Sequence, residues 1–197
     1  LLDQTGKFYF IEMNPRLQVE HTVTEQITAI DIVRNQIKIA AGLPLSIQQK
    51  DVILQGHAIQ CRINAEDPKN NFLPCTGTVT AYLSPGGIGV RIDGAVYKDY
   101  TVPPYYDALL AKLTVRGRTW EETVSRMRRS LEEYVIRGLK TTIPFMEAIM
   151  QEPDFIAGRF DTSYLDTHQE LYAYPEFEPP EDLVLALSAA IAAYEGL

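Results

Sequence analysis

Between His57 and Val115 the chain passes through four strand-like stretches, His57 to Ile63, Gly77 to Leu83, Gly89 to Tyr97 and Ala108 to Val115, separated by Pro and Gly. An extended backbone sends alternate side chains to opposite faces, so stretches of this kind pair into an antiparallel sheet with one buried side. Thr119 and Glu122 follow at the spacing of a capping box, and Trp120, Val124, Met127, Leu131 and Tyr134 then recur on one face of a helix that ends near Gly138. The opposite face carries Arg126, Arg129 and Glu133. With 197 residues and 46% hydrophobic residues, the chain has enough apolar material for one substantial core and a smaller flanking piece.

The residues before the sheet read differently. Leu1 and Leu2 open directly into an apolar run, Asp3 to Lys7 has the composition of a glycine-containing hairpin turn, and Phe8 to Met13 reads as the returning strand. The expectation is a cut chain, with further residues of the same domain upstream. Thr22 and Glu25 have capping-box spacing, and Ile27, Ile30, Val33, Ile37 and Ala40 predict one helix stopped by Gly42 and Pro44. Past Lys140, short helices are expected at Ile143 to Met150 and Ser163 to His168. A Pro-, Glu- and aromatic-rich stretch, Tyr172 to Pro180, then leads to an alanine-rich helix whose Leu183, Leu187, Ile191 and Tyr194 share a face, to be packed locally or against another domain. No internal repeat is present.

Charge and cysteine content exclude several classes. A formal net charge of -8 opposes nucleic acid and anionic membranes as partners, because the mean potential repels phosphate. Cys61 and Cys75 lack metal-site spacing, so they read as two free thiols. No apolar run reaches the roughly 18 residues of a membrane span, and no leader pattern opens the chain. A reducing cytoplasmic compartment is the expectation.

The stretch most suggestive of chemistry is EMNPRLQVE. In an extended backbone Glu12, Asn14, Arg16, Gln18 and Glu20 share one face, and Met13, Pro15, Leu17 and Val19 the other. A solvated strand face is the plain alternative, but such faces favour Thr and Lys, whereas this row sets carboxylate, amide, guanidinium, amide and carboxylate side by side. Glu12 and Asn14 offer hard oxygen donors suited to magnesium. Arg16 can fork onto a small planar oxyanion, and a carboxylate such as Glu20 beside it can act as a general base toward a hydroxyl-bearing anion like bicarbonate.

FYFIEMNPRLQVEHTVTE is similar to the segment that ends the ATP-grasp domain of biotin carboxylases. Carbamoyl-phosphate synthetases share the F-I-E-x-N-P-R part but continue with serine-rich sequence in place of Gln18 to His21. GHAIQCRINAEDP (56–68), PGGIGVRID (85–93), YTVPPYYDALLAKL (100–113) and RGLKTTIPF (137–145) resemble further biotin carboxylase segments in the family's order, so the resemblance covers Leu1 to about Glu170. It implies an α+β fold: the end of an ATP-grasp domain over 1–48, then a biotin carboxylase C-terminal domain over 49–170 with an antiparallel sheet and flanking helices. Residues 171–197 remain as linker and terminal helix.

The resemblance also implies an activity. Biotin carboxylases use ATP to phosphorylate bicarbonate, and the carbon dioxide released is taken up by the ureido nitrogen of biotin. Matched residue by residue, Glu12 and Asn14 are metal ligands for magnesium or manganese, Arg16, Gln18 and Val19 bind bicarbonate, and Glu20 is the base. Arg91 is matched to the arginine that stabilises the biotin enolate, with Arg16 and Glu20 completing the catalytic set. Leu1 and Leu139 match adenine contacts. The implied partners are a biotin carboxyl carrier protein or domain, a carboxyltransferase and a second copy in a homodimer. The final acceptor, pyruvate or an acyl-CoA, is left open.

His21 is read as structural at a helix entry, Lys112 as solvent-facing, and Arg62, Glu66 and Asp67 as pairing within the fold or with a neighbouring domain. His57 and His168 show no partner in sequence. The competing function is a non-catalytic dimerisation or docking domain. No glycine-rich phosphate loop or lysine-bearing lid occurs among these residues, so the isolated chain is expected not to hydrolyse ATP in a biotin-dependent way. Biotin-stimulated phosphate release from it would refute that expectation.

Overall fold

A computed structural model describes residues 1–3, 5–174 and 181–195. In chain order the elements are α1 (His21–Thr28), α2 (Ile32–Ala40), β1 (His57–Asn64), β2 (Glu66–Asp67), β3 (Leu73–Pro74), β4 (Gly77–Thr78), β5 (Ala81–Leu83), β6 (Val90–Gly94), β7 (Thr101–Val102) and β8 (Leu109–Gly117). They continue with α3 (Trp120–Glu132), β9 (Val135–Arg137), α4 (Ile143–Gln151), α5 (Pro153–Ile156), α6 (Tyr164–Thr167) and α7 (Glu181–Glu195).

β8 is the middle of a three-stranded antiparallel sheet ordered β1–β8–β6. Its register sets Arg62 opposite Lys112 and Gln60 opposite Thr114 on one side, and Asp93 opposite Lys112 and Arg91 opposite Thr114 on the other. Because side chains alternate, Cys61, Ile63, Ala111, Leu113 and Val115 point to the opposite face, where they are buried with Val124, Met127 and Leu131 of α3 and with Phe145 and Ile149 of α4. Three two-stranded pairs, β2–β3, β4–β7 and β5–β9, surround this core. The entry into α3 lies so close to the end of β8 that a Cβ on Gly117 would sit 2.6 Å from Thr123 Oγ1, which leaves room only for glycine.

The helix after the sheet follows its pattern. Thr119 is the N-cap and accepts from the Glu122 amide at 3.2 Å, while the Glu122 carboxylate turns to the Arg118 amide at 2.9 Å, so half of the box forms. The helix ends at Glu132, short of Gly138, because Val135–Arg137 pairs with β5. Gly77 to Leu83 likewise divides into β4 and β5, which pair with different partners, and the stretch from Gly89 stops as a strand at Gly94.

The N-terminal part departs further from expectation. The turn at Asp3 to Lys7 closes, with Gly6 at φ +82 and the Tyr9 amide on the Leu1 carbonyl at 2.8 Å, but the pairing is a single bridge between Leu2 and Phe8. Residues 9–18 form no strand, so the alternating face predicted for Glu12 to Glu20 does not exist as such. Nor do Thr22 and Glu25 form a capping box. Glu20 is the N-cap of α1 without a side-chain cap bond, and both predicted capping side chains are buried in tertiary contacts. The helix expected from Ile27 to Ala40 breaks at Ala29 (φ +59), and α2 restarts with Asp31 as N-cap, its carboxylate accepting from the Arg34 amide at 2.7 Å. Gly42 at φ +79 ends it as expected.

Tyr172 to Tyr174 pack against Phe145 and Phe72, and the rest of the expected Pro-rich stretch, residues 175–180, lies outside the described residues. On α7, Leu183, Leu187, Ile191 and Tyr194 are all exposed. Among the described residues no helix is long and apolar enough to cross a membrane.

Leu113 is fully buried on the central strand and Leu183 is 48% exposed. Leu113→Ala should therefore cost about 2–5 kcal/mol of unfolding free energy, and Leu183→Ala less than about 0.5 kcal/mol, read by urea denaturation.

Candidate functional site

The polar face of the sheet consists of two rows across three strands: Arg62, Lys112 and Asp93 in one, Gln60, Thr114 and Arg91 in the other. An uncovered polar face would simply be solvated, but here α1 lies over it, and each residue from Val19 to Thr22 is taken up in turn. The Gln60 amide donates to the Val19 carbonyl at 2.9 Å and to the Thr22 hydroxyl. Arg62 donates to the Glu20 carboxylate. His21 Nε2 lies 3.0 Å from Lys112 Nζ, and Thr22 Oγ1 lies 2.8 Å from Thr114 Oγ1, both threonines being fully buried. One turn further on, Glu25 accepts from Arg91 at 2.7 Å and, with its other oxygen, from the Ile32 amide at 2.8 Å.

The predicted site residues divide on this frame. Arg16, Gln18 and Glu20 come together, lining with His21, Thr24 and Gln36 a cleft of about 270 Å³. Glu20 and its partner Arg62 are each about half exposed, so the pair is open to solvent where Glu20 borders the cleft. The Arg62 hydrogen bond holds the Glu20 carboxyl below its usual range against the opposing effect of burial, and the charges of Arg62 and Arg16 add to it. Val19 commits its carbonyl to Gln60. Glu12 and Asn14 are exposed just before this segment, outside any helix or strand. They supply two oxygen donors, a set that fits a magnesium ion drawing its remaining ligands from phosphate and water. Leu1 is 79% exposed in the hairpin, whereas Leu139 is half-buried against the core, so nothing joins the two as an adenine clamp.

Arg91 does not belong to this cleft. Its guanidinium forks onto Asp93 at 2.7 and 2.8 Å and gives its remaining arm to Glu25. Burial alone would raise the Glu25 and Asp93 carboxyls and is the largest single effect on each, but the bonds and charge of Arg91, with the Ile32 amide at Glu25 and the charge of Lys112 at Asp93, together hold both below their ordinary values. A guanidinium so committed has little left for a developing oxyanion. The cation beside Glu20 is Arg62, which sequence reasoning had only as a pairing residue. Lys112, expected to face solvent, is half-buried at the centre of its row. The signal for these groups is the spacing of two in Gln60/Arg62, Lys112/Thr114 and Arg91/Asp93, which puts each pair on one face; the register that joins the pairs is not in the spacing.

A family model described as the biotin carboxylase C-terminal domain matches residues 60–167, more than half of the chain. The chain belongs to the biotin carboxylase family. Residues 1–48 match a model described as the carbamoyl-phosphate synthase L chain ATP binding domain. The 2-oxoglutarate carboxylase small subunit of Hydrogenobacter thermophilus is 51% identical over 197 residues, 100% of this chain and 42% of that protein. Biotin carboxylase 1 of Bacillus subtilis is 49% identical over 162 residues, 82% of this chain and 36% of that protein. Among solved structures, the biotin carboxylase domain dimer of the H. thermophilus enzyme, in complex with MgADP, ADP and bicarbonate, superposes with a TM-score of 0.85 at 52% identity over 88% of this chain and 38% of that one. The biotin carboxylase subunit of a pyruvate carboxylase gives 0.86 at 55% identity over 89% and 39%. This biotin carboxylase chain thus spans about two fifths of the length of such relatives. The parts matching its two family models meet where α1 lies on the sheet.

Arg91→Ala would leave the Glu25 carboxylate buried and unpaired, at a cost of about 2–3 kcal/mol near neutral pH. The stability that Glu25 and Asp93 contribute is complete above their unfolded-state values near 4 and is lost as pH falls through their lowered folded values. Acid titration followed by circular dichroism should accordingly place the unfolding midpoint of Arg91→Ala at higher pH than that of the wild type.

Proposed function

We propose that this chain provides the bicarbonate and biotin side of a biotin carboxylase active site, and that the longer protein, like its relatives, carboxylates biotin on a carrier protein or domain at the expense of ATP. The observation that carries this reading is the half-exposed Glu20–Arg62 pair, whose carboxylate lines the cleft together with Arg16 and Gln18. In it Arg16 forks onto bicarbonate, with Gln18 and the Val19 amide completing its hydrogen bonds, and Glu20 takes the bicarbonate proton. The Arg62 bond that lowers Glu20 makes it a weak base at rest. An arriving anion competes for Arg62, and withdrawing part of that bond raises the basicity of Glu20 where a base is needed.

Arg62, freed in part from Glu20 and half exposed beside it, is then the cation suited to the biotin ureido oxygen as it gains charge. This reading replaces Arg91 with Arg62 in that role and gives Arg91 the task of fixing α1 to β6. Glu12 and Asn14 would hold the magnesium or manganese ion, which offsets phosphate charge when bound. Leu1 and Leu139 remain proposed adenine contacts, to be brought together by nucleotide. The partners in this reading are the carrier, a carboxyltransferase and a second copy of the chain. Homodimerisation has support in the dimeric relative and in Ile88, 92% exposed at the tip of the Pro85 to Gly89 turn.

In the full-length protein, Glu20→Gln should reduce bicarbonate-dependent ATP cleavage about 100-fold. Arg62→Ala should cost about 3 kcal/mol of transition-state stabilisation in biotin carboxylation and less in ATP cleavage. Wild-type turnover by both variants at saturating substrate would overturn the assignment.

A further inference from the structure

Arg62 and Lys112 are direct cross-strand partners on β1 and β8, and they grip consecutive residues: Arg62 holds Glu20, and Lys112 Nζ lies 3.0 Å from His21 Nε2. An ammonium group has only donors, so Nε2 must accept, and the imidazole proton sits on Nδ1. Nδ1 lies 3.2 Å from Glu25 Oε2, close enough for attraction though not aligned for a full hydrogen bond. The His21 side chain is only 8% exposed.

The charged groups around His21 come from three elements. Glu25 is on α1, Lys112 on β8, and Asp93 and Arg91 are on β6, with Asp93 opposite Lys112 in the register. The two carboxylates are matched in charge by the guanidinium and the ammonium. The His21 ring is thereby locked in both position and tautomer. Glu20, the preceding residue and N-cap of α1, makes no cap bond of its own. Its carboxylate is aimed by Arg62 on one side and by where the backbone of His21 is pinned on the other.

We propose that Lys112, acting through His21, is a positioning residue for Glu20. This rests on the reading of Glu20 as the base. Lys112 is not itself in the cleft lining and does not touch the carboxylate; through His21 it fixes the backbone from which the carboxylate reaches. The effect belongs to the rate of the proton-transfer step rather than to bicarbonate binding, which Arg16 and Gln18 carry.

The test is a double-mutant cycle in the full-length enzyme, read as bicarbonate-dependent ATP cleavage. Lys112→Met alone should lower kcat about 10- to 100-fold, as expected for a misplaced catalytic group, with KM for bicarbonate changed less than about threefold. In the Glu20→Gln background, where there is no base to misplace, Lys112→Met should add less than about a twofold loss. A full multiplicative loss in that background, or an effect on KM alone, overturns the proposal. Glu20→Gln with wild-type turnover would instead defeat the reading of Glu20 itself. Should Lys112→Met not fold, two His21 variants decide. His21→Gln carries its amide oxygen to about the reach of Nε2 and should keep most of the rate, whereas His21→Asn carries it only as far as Nδ1 and should not. The reverse order overturns the proposal.

Discussion

Thr114 is fully buried in the middle of the sheet, and its hydroxyl meets that of Thr22, also fully buried, at 2.8 Å. Two hydroxyls taken from water must satisfy one another, so α1 has one place at which it can lie on β8. The remaining α1 contacts depend on that alignment. With Thr22 over Thr114, Glu20 falls over Arg62, His21 over Lys112 and Glu25 over Arg91, because the helix and the two strand rows are in step. A shift of one residue in β1 against β8 would send every polar side chain of β1 into the core face.

Such an interface could have been apolar, and an apolar one of similar volume is often as stable or more so. What the polar version supplies is a specific set of directions. The opposite face of the same sheet, with Leu113, Val115, Met127 and Leu131 buried, carries the stability, and the polar face fixes which atoms of residues 16–25 face the cleft. The division also explains why one arginine is spent on two carboxylates. Arg91 holds the far end of α1, leaving Arg62 on a half-exposed pair with Glu20.

The sheet and α3 were legible because alternation and a three-to-four-residue period are local patterns that burial reinforces. The hairpin turn at Gly6 and the stop at Gly42 were legible because both need positive φ. Glu12 to Glu20 was misread as a strand because its residue types suit an extended chain, but among the described residues no strand pairs with it and Pro15 offers no donor. Thr22 and Glu25 were misread as a cap because the same side chains serve equally well in tertiary bonds, and spacing does not distinguish the two uses. The pairing of Arg91 was missed although Asp93, two residues on and on the same face, already offered it a partner. Arg62 and Lys112 gained their meaning only from the register of β1 on β8, which joins residues 50 apart.

If α1 is registered on the sheet as described, the two open together. Native-state hydrogen exchange measures this directly, by comparing α1 amides such as that of Ala29, bonded to the Glu25 carbonyl, with amides of Leu113 and Val115 in β8. The account predicts similar opening free energies for both sets and a parallel fall in both on Thr114→Val. Fast exchange throughout α1 while β8 stays protected would contradict it.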